Sequence, residues 1–391
     1  MPSNSKNLAE LLNTDSTVAV GDIADGSVTT AKLAADAVTT AKLAADAVTT
    51  AKIAADAVTN AKVGNDVIGP ENIAGTVSFG HRNLLINGDF QEWQRGTGPF
   101  TVNNFGCDRW YGWGNQHNLT QQQAENATHN SGRFALRVAH NEGTANTFSS
   151  IAQTLETRDA AQCRGKKVTF SIDVKKGSAF TGNLTLQIVT RTDAQGSINT
   201  GTRQVLVTQD ITSSLTTSLQ RFTCTTSTVC GQDIRVIGVN VNHTGTTGTD
   251  ANNYFQVERA QLELGENATT FETQNAADNL ARCQRYYQQT GTTTSGYQNI
   301  AVLVNYSTGV DQRGVIPFNT EMAYQPSMTT TGNFMILGAG GGISSVSAGD
   351  GISATQAGLR VNTSSNLSVG QSTLLRGNND ATARFRFEAE Y

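Results

Sequence analysis

The chain has 391 residues, of which 15% are charged, and its formal net charge is −4. Residues 1–79 carry five lysines and nine acidic residues, so they hold the whole net charge and the remainder is neutral. We therefore expect no nucleic-acid partner, no membrane insertion, because no run of about 18 apolar residues occurs, and no secretory signal peptide at the start.

The first 20 residues contain one helix signal. Asn7 and Glu10 have the spacing of a capping box, which predicts a short helix that continues through Leu12.

Residues 21–79 form a repeat without any aromatic residue, since the first one is Phe79. An aliphatic residue recurs at every fifth position from Ile23 to Ile73, and the unit VTTAKLAADA begins at Val28 and again at Val38. A period of five matches neither a helix nor a continuous strand. It favours short strands and turns that stack into a shaft. The shaft is either an intertwined homotrimer, which we favour, or a single-chain solenoid similar to pentapeptide-repeat proteins; a disordered linker would need no phase.

Residues 80–275 show the two-residue alternation of β-strands. Leu84 and Ile86 begin it, and further strands are predicted at 168–174, 184–188 and 234–241. The third of these is expected to bulge at Ile237-Gly238. Strands at 255–257 and 262–264 close the segment. Many short strands separated by Gly, Asn and Thr turns predict a β-sandwich or jelly roll.

Residues 276–290 are predicted to form a linking helix, because Asn275 caps a segment in which Leu280 and Tyr287 share one face. Residues 291–391 again alternate and are predicted to form a C-terminal β-sandwich. Its expected strands lie at 300–306, 315–318, 334–337, 359–361, 367–369 and 385–391. The fold class is therefore mainly β, and the final strand is expected to be docked.

Candidate chemistry is sparse. The closest cysteines, Cys224 and Cys230, are too far apart for a CxxC metal site, so the five cysteines are expected to be buried thiols in a protein assembled in a reducing compartment. The five histidines accompany neither a serine elbow nor HExxH spacing, and the glycine-rich run at 338–342 lacks the Lys-Ser/Thr of a phosphate loop. We therefore predict no catalytic residues, no metal and no cofactor.

The ordered motifs resemble receptor-binding proteins of bacteriophage tail fibres. The resemblance begins with NLLINGDFQEWQRGTG (Asn83–Gly98) and DRWYGW (Asp108–Trp113) and closes with QLELGENATTFE (Gln261–Glu272) and ARCQRYYQ (Ala281–Gln288). The VTTAK repeats are similar to shafts of marine phage fibres. Nearly the whole chain is covered. The resemblance implies a trimeric virion fibre with a jelly roll like that of carbohydrate-binding modules and a distal β-sandwich. From their position ahead of the shaft, residues 1–20 are expected to attach the fibre to a phage tail or baseplate protein.

The tryptophans are the candidate sugar-binding residues, because an aromatic plane stacks on the apolar face of a pyranose ring. Alternation puts Trp110 on one face of its strand and both Tyr111 and Trp113 on the other. We expect Trp93 and Trp110 to anchor the core. Trp113, with Tyr111 and the nearby His117, is the predicted carbohydrate site.

Related sugar-binding sandwiches often hold a structural calcium through an acid beside the first strand. This chain has Gln91 at that point, and Asp89 could substitute, but we predict no metal site.

The sequence therefore predicts a non-enzymatic homotrimeric tail fibre, assembled in the host cytoplasm, that adsorbs to a host surface receptor, in particular a glycan. One alternative is a structural virion fibre, such as a decoration or collar protein, without a receptor role. Another is a polysaccharide-degrading tailspike with paired carboxylates. Tailspikes usually contain a long parallel β-helix, and no segment here is long enough for one.

Overall fold

The computed structural model describes residues 26–29, 31, 33, 37–39, 43, 47–54, 57–58, 82–101, 103–115, 118–123, 134–140, 148–193, 196–245, 250–290, 297–307, 309–337 and 343–390. They fall into two compact units, one within Met1–Gly69 and one within Pro70–Tyr391. None of these residues belongs to a helix that is long and apolar enough to cross a membrane. The helix predicted at Asn7 lies outside the described residues.

The first unit exposes the phased aliphatic residues of the repeat. The seven described ones, from Val28 to Val58, are each 45–62% exposed. A 3₁₀ turn is present at Thr50–Lys52, where Lys52 Nζ donates to the Ala47 carbonyl at 2.7 Å. The described residues of the repeat include no strand. The predicted stacking of units into a shaft is therefore not visible within this chain alone.

The second unit is mainly β, as predicted. Its strands are β1 (Asn104–Phe105), β2 (Tyr111–Gly114), β3 (Asn118–Gln123), β4 (Phe134–Ala139), β5 (Phe148–Leu155), β6 (Val168–Lys176), β7 (Asn183–Arg191), β8 (Arg203–Asp210), β9 (Gln220–Thr225), β10 (Val236–Thr244), β11 (Tyr254–Leu264), β12 (Tyr287–Gln289), β13 (Asn299–Asn305), β14 (Gly309–Pro317), β15 (Ser327–Thr331), β16 (Phe334–Leu337), β17 (Ile343–Ile352), β18 (Gln356–Leu367), β19 (Ser372–Gly377) and β20 (Arg384–Glu388). Its helices are α1 (Thr157–Ala160) and α2 (Ala276–Gln284), with 3₁₀ turns at Ala161–Cys163 and Thr212–Ser214.

Two antiparallel sheets form the first sandwich. Sheet A has the order β1-β2-β5-β10-β7-β8, and sheet B has the order β3-β4-β11-β6-β9. The alternation predicted for β6 and β7 places one side chain in two between the sheets, where Trp110, Phe170 and Phe255 are fully buried. The face of sheet A that is turned away from sheet B is called the outer face below.

Two predictions within this sandwich were wrong in detail. Leu84 and Ile86 are buried but belong to no strand; Ile86 instead exchanges two hydrogen bonds of 2.7 Å with the Gln153 side chain. Strand β10 runs past Gly238 without a bulge. The reason is that Val236 packs on the outer face against Ile198, so the strand is apolar on both faces there and does not alternate. The bulge lies in β11, at Glu258–Gln261.

Helix α2 begins where predicted and ends earlier. The Asn275 side chain accepts hydrogen bonds from the backbone N–H groups of Ala277 (2.9 Å) and Asp278 (3.4 Å), so it is the N-cap. The helix ends at Gln284, not at 290. Tyr287 therefore does not continue its apolar face and lies in β12, because the chain there pairs with β20.

The second sandwich consists of two further antiparallel sheets. Sheet C has the order β12-β20-β15, and sheet D has the order β16-β19-β13-β14-β18-β17. Phe385 and Phe387 of β20 face the core between them, as the terminal alternation predicts. The strand predicted at 367–369 is wrong: Leu367 ends β18 and Val369 is 60% exposed, whereas the strand β19 follows it.

Buried ion pairs join the first sandwich to sheet C. Glu390 accepts from Arg95 at 3.2 Å and from Arg109 at 2.7 Å, and all three side chains are at most 9% exposed. Arg95 also pairs with Asp108 (3.3 Å) and Glu388 (2.7 Å). The two sandwiches of this unit therefore share a charged, largely water-excluded contact.

All five cysteines are buried and form no disulfide, as expected.

Candidate functional site

Trp110 and Trp113 point to opposite faces, as alternation predicts, and Trp93 packs against the core, as expected. Trp110 is fully buried, its indole N–H donates to the Asn87 carbonyl at 3.0 Å, and its ring lies 4.8 Å from that of Phe90. Trp93 is partly buried against the same core and donates to the Phe90 carbonyl at 2.7 Å. Both therefore anchor the core, as the sequence predicts. Trp113 is 37% exposed on the outer face of sheet A.

One asparagine holds the segment that leads into β2. The Asn87 backbone has a positive φ of 54°, and its side chain donates to the carbonyls of Glu92 and Asp108 at 3.0 Å. The same side chain accepts from the backbone N–H groups of Gln91 and Glu92. These bonds fix the turn after Asn87 and the backbone that leads to Trp110. They therefore determine which residues of β2 point into the core and which point to the outer face.

Two of the three predicted sugar-binding residues, Trp113 and Tyr111, lie on the outer face and contact different aromatic neighbours. The Trp113 ring meets the Phe148 ring edge-on at 5.2 Å, which holds it at the edge of the outer face. Tyr111 lies on the same face, but its ring packs 4.9 Å from Phe105 and it is half-buried. Beneath Tyr111 is a space of about 10 Å³, enough for one water molecule. His117 lies outside the described residues.

A row of polar side chains continues from Trp113 across the outer face. Asn242 of β10 donates to Gln187 Oε1 at 2.7 Å, and Gln187 of β7 donates to Thr208 of β8 at 3.0 Å. Arg203 Nη2 donates to the same Gln187 oxygen at 2.6 Å. With the Asn240 amide oriented so that its nitrogen donates to the Val239 carbonyl, its oxygen accepts from Arg203 at 3.2 Å. Three strands thus carry amides, a hydroxyl and a guanidinium that are joined by hydrogen bonds on this face. Arg203 and Thr208 are exposed and Gln187 is half-buried, whereas Asn240 and Asn242 are buried.

Two groups on this face, the Ser150 hydroxyl and the Arg203 guanidinium, are available for further hydrogen bonds. Ser150 lies beside Trp113 in the β2–β5 register, and its buried hydroxyl has no hydrogen-bond partner among the described residues. Partial burial lowers the pKa of Arg203 from its usual value. The loop after β7 is pinned by Arg191, whose hydrogen bond, together with the Thr202 backbone N–H, lowers the pKa of Asp193 to about 2. The hydrogen-bond donors of this face are therefore carried by strands and by a loop that the Arg191–Asp193 contact holds in place.

Sequence reasoning missed this polar row, although a signal was present. In Val239-Asn-Val-Asn242 the valines face the core and the asparagines face outward, a regular alternation of apolar and amide side chains. An outward-facing amide is usually read as a solvated position, because most exposed residues are polar. Only the pairing of β7, β8 and β10 brings these amides together.

The part of the chain that the structure describes contains no grouping that would hold a metal. Among the described residues, no three His, Cys, Asp or Glu side chains gather in a way that could bind one. Gln91, at the point where related sandwiches carry a calcium-binding acid, accepts from the Phe134 N–H (3.2 Å) and donates to its carbonyl (3.0 Å). It therefore joins the first segment to β4 by hydrogen bonds to the backbone.

Two of the histidines form a buried stack between the sheets. The His140 and His243 rings lie 4.4 Å apart, and Nε2 of each is within hydrogen-bond distance of a neighbour, Ser149 at 2.6 Å and the Thr181 carbonyl at 2.7 Å. Burial lowers the pKa of His243. This position inside the sandwich fits a packing role.

Comparison with known proteins gives remote likenesses only. No protein-family model and no curated protein matches the chain. Among solved structures, the Stig cyclase Fisc from Fischerella sp. TAU is similar over 46% of this chain and 96% of its own, with 13% identity and a TM-score of 0.32. The C-terminal family 22 carbohydrate-binding module of Clostridium thermocellum Xyn10B is similar over 43% of this chain and 96% of its own, with 11% identity and a TM-score of 0.29. At TM-scores below 0.5, the function of this chain has to be inferred from its own residues.

Proposed function

We propose that this chain is a tail-fibre protein of a bacteriophage virion that adsorbs to a glycan on the host cell surface and has no catalytic role. The observation that carries the glycan part is the outer face of sheet A, where Trp113 stands at one end of the row formed by Asn242, Gln187 and Arg203. The fibre part comes from the resemblance of the ordered motifs between Asn83 and Gln288 to phage receptor-binding proteins.

The chemistry of this face suits a sugar. A pyranose ring has an apolar C–H face that packs on an indole and a rim of hydroxyls that both donate and accept hydrogen bonds. Planar amides and a guanidinium offer matching donors and acceptors in fixed directions. Gln187 is already held by Asn242 and Arg203, so little side-chain entropy is lost when a ligand binds.

The repeat supports association of several copies. A single-chain solenoid would bury its own phased aliphatics, whereas the residues from Val28 to Val58 are 45–62% exposed. Covering them requires other chains, and we propose a homotrimer in which each chain supplies one aliphatic residue per layer. Three weak sites on one fibre would then raise the avidity far above the affinity of one site.

Sheet D carries a second exposed apolar surface. Val302, Val304 and Val315 lie on its solvent-facing side and are 63%, 43% and 49% exposed. Contiguous apolar surface of this kind is typical of an interface. We propose that another copy of this chain covers it, because the same assembly that covers the repeat supplies that copy at high local concentration.

The glycan proposal is tested by binding of the full chain to an array of bacterial surface polysaccharides. Trp113→Ala and Gln187→Ala are each expected to weaken binding by about tenfold or more, as loss of a central contact does. Tyr297→Ala, which removes an exposed aromatic ring from the second sandwich (50% exposed, against 37% for Trp113), is the control and should bind like the parent. Equal binding by all three variants would exclude the outer face as the site.

The alternatives predict different outcomes of related assays. A structural virion fibre would bind no polysaccharide on the array while antibody to this chain still labels the virion. A depolymerising tailspike would release reducing sugar from the bound polysaccharide, and we expect no release.

A further inference from the structure

A cavity lies at the junction between the first sandwich and sheet C. Its volume is about 260 Å³, and it is walled by Arg95, Phe100 and Phe105 on one side and by Tyr287, Arg386 and Glu388 on the other. That volume is just under the lower end of pockets that take drug-sized ligands, about 300 Å³. The cavity therefore has room for one small molecule or for one unit of a polymer, but not for several units of a polymer.

Strand register explains why charged groups face this cavity. Arg386 lies opposite Gln289 of β12 and Thr329 of β15, and Glu388 follows two positions later on the same face. The alternate residues Phe385 and Phe387 point into the core of the second sandwich. The alternation that builds the core therefore also turns Arg386 and Glu388 toward the first sandwich.

The two arginines of the cavity differ in their partners. Arg95 pairs with Asp108, Glu388 and Glu390, and its guanidinium lies 3.8 Å from the centre of the Tyr287 ring. Its charge is therefore already compensated. Arg386, in contrast, has a buried Nε without a hydrogen-bond partner among the described residues. A buried donor without a partner is costly, and an acceptor bound in the cavity would remove that cost.

The other residues that line the cavity indicate what kind of hydrogen-bond acceptor would bind there. Phe100, Phe105 and Tyr287 offer apolar surface, which suits the C–H groups of a ring. A guanidinium binds a carboxylate through two parallel hydrogen bonds. Glu388, adjacent to Arg386 on the same face, would repel a dianionic phosphate but would accept hydrogen bonds from hydroxyls.

We propose that the junction cavity binds one hexuronate residue, an acidic sugar whose carboxylate pairs with Arg386 and whose hydroxyls reach Glu388 and Thr329. The site is separate from the outer face of sheet A, and it stands whether or not that face binds a glycan. It gives the protein a preference for anionic polysaccharides, because one sugar unit in the chain would carry the recognised charge.

The test is calorimetric titration of the full chain with sodium glucuronate, with glucose and inorganic phosphate as the comparison ligands. The titration extends to about 20 mM, since a ligand this small is expected to bind with a Kd of about 1 mM. Glucuronate should bind about tenfold more tightly than glucose, and Arg386→Gln should remove that difference. The same titration on Trp113→Ala, whose outer face should bind sugar more weakly, separates the two sites, because the glucuronate binding that remains belongs to the cavity.

Two further variants keep the test decisive. Thr329→Phe fills the cavity from an exposed position and should abolish glucuronate binding even if Arg386→Gln does not fold. Arg376→Gln removes a guanidinium from sheet D and should bind normally. The proposal is overturned if glucose or phosphate binds as tightly as glucuronate, if no ligand binds, or if Thr329→Phe binds like the parent.

Discussion

At the scale of single residues, two tryptophans three positions apart have opposite roles. Trp110 points between the sheets and is fully buried, and Trp113 points away and is partly exposed. The sequence was sufficient for this assignment, because alternation in a strand depends only on position. It was insufficient for Tyr111, which shares the outer face with Trp113 but is covered by Phe105 from the neighbouring strand β1.

Replacing each tryptophan by alanine should separate stability from binding. Trp110→Ala removes a buried ring and a buried hydrogen bond and should lower the free energy of unfolding by about 3–5 kcal/mol. Trp113→Ala should lower it by less, by about 1 kcal/mol, because 37% of this residue is already exposed and, among the described residues, it makes no buried hydrogen bond to the core. Chemical denaturation measures both. Similar losses for the two variants would contradict the assignment of opposite faces.

Glu92 should make stability depend on pH. Burial, helped by Asp108 and Asp89, raises the pKa of Glu92 to about 7, and burial raises that of Asp108 to about 6 in spite of Arg95. A carboxyl with a higher pKa in the folded state binds more protons when folded, so the free energy of unfolding falls as pH rises. For Glu92 the fall begins near its ordinary value of 4.5 and ends near 7.

The pH prediction is checked by denaturant unfolding at pH 5, 6, 7 and 8. Acids with lowered pKa values, such as Glu156 and Asp193, contribute stability that is lost only at more acid pH, so they do not oppose this trend. Glu92→Gln carries no charge at any pH and should flatten the decline. Glu266→Gln, at a position where the side chain is 64% exposed, should leave it unchanged. Burial lowers the pKa of His243, so the contribution of this histidine to stability rises with pH below its ordinary value of 6.5 and opposes the decline. The decisive quantity is therefore the difference between the parent and Glu92→Gln, and equal pH profiles for the two proteins would refute the prediction.

At the scale of secondary-structure elements, strand β20 shows what patterning can and cannot predict. Its alternating Phe385 and Phe387 indicated a docked strand, and the structure confirms it. The alternate positions carried no comparable signal, because the partners of Glu390 lie 281 and 295 residues earlier in the chain. The polar row of the outer face escaped prediction for the same reason. The position and alternation of a single strand can be predicted from local sequence, but the pairing of strands that are far apart in the chain cannot.

The contact made by Glu390 should be a major source of stability. Glu390→Ala leaves the guanidiniums of Arg95 and Arg109 buried with one fewer anion, which typically costs about 3–5 kcal/mol. Glu388→Ala is the matched control: its carboxylate is 44% exposed, and an ion pair of that kind is worth about 0–1 kcal/mol. Thermal and denaturant unfolding compare the two variants. A smaller effect for Glu390→Ala than for Glu388→Ala would contradict the buried-pair interpretation.

At the scale of the whole molecule, exposed apolar residues occur in both units of the chain. The repeat displays Val28 to Val58, and sheet D displays Val302 and Val315. Residues 21–79 were predicted to hold chains together from their five-residue phase alone. The observed exposure agrees with a need for partner chains, and the trimer itself stays a prediction.

Light scattering of the full chain should give about three times the 41.4 kDa mass of one chain. Replacing Leu33, Leu43 and Ile53 together by aspartate should shift the protein toward the monomer, because each layer would then bury like charges. Changing Ala37, Ala47 and Ala57 to serine is the control with small polar changes in the same repeat. A monomeric parent would refute the trimer. If the aspartate variant stayed trimeric, the main trimer interface would lie on another surface, such as sheet D.

The long-range contacts of the second unit also affect its rates of folding and unfolding. Arg95 reaches Glu388 across 293 positions, and Asn87 reaches Asn279 across 192. Contacts between residues so distant along a chain form late, so folding of such a topology is slow. Interactions that are absent from the transition state slow unfolding once they are made. The persistence of this molecule is therefore expected to depend on the height of a kinetic barrier more than on the depth of its free-energy minimum.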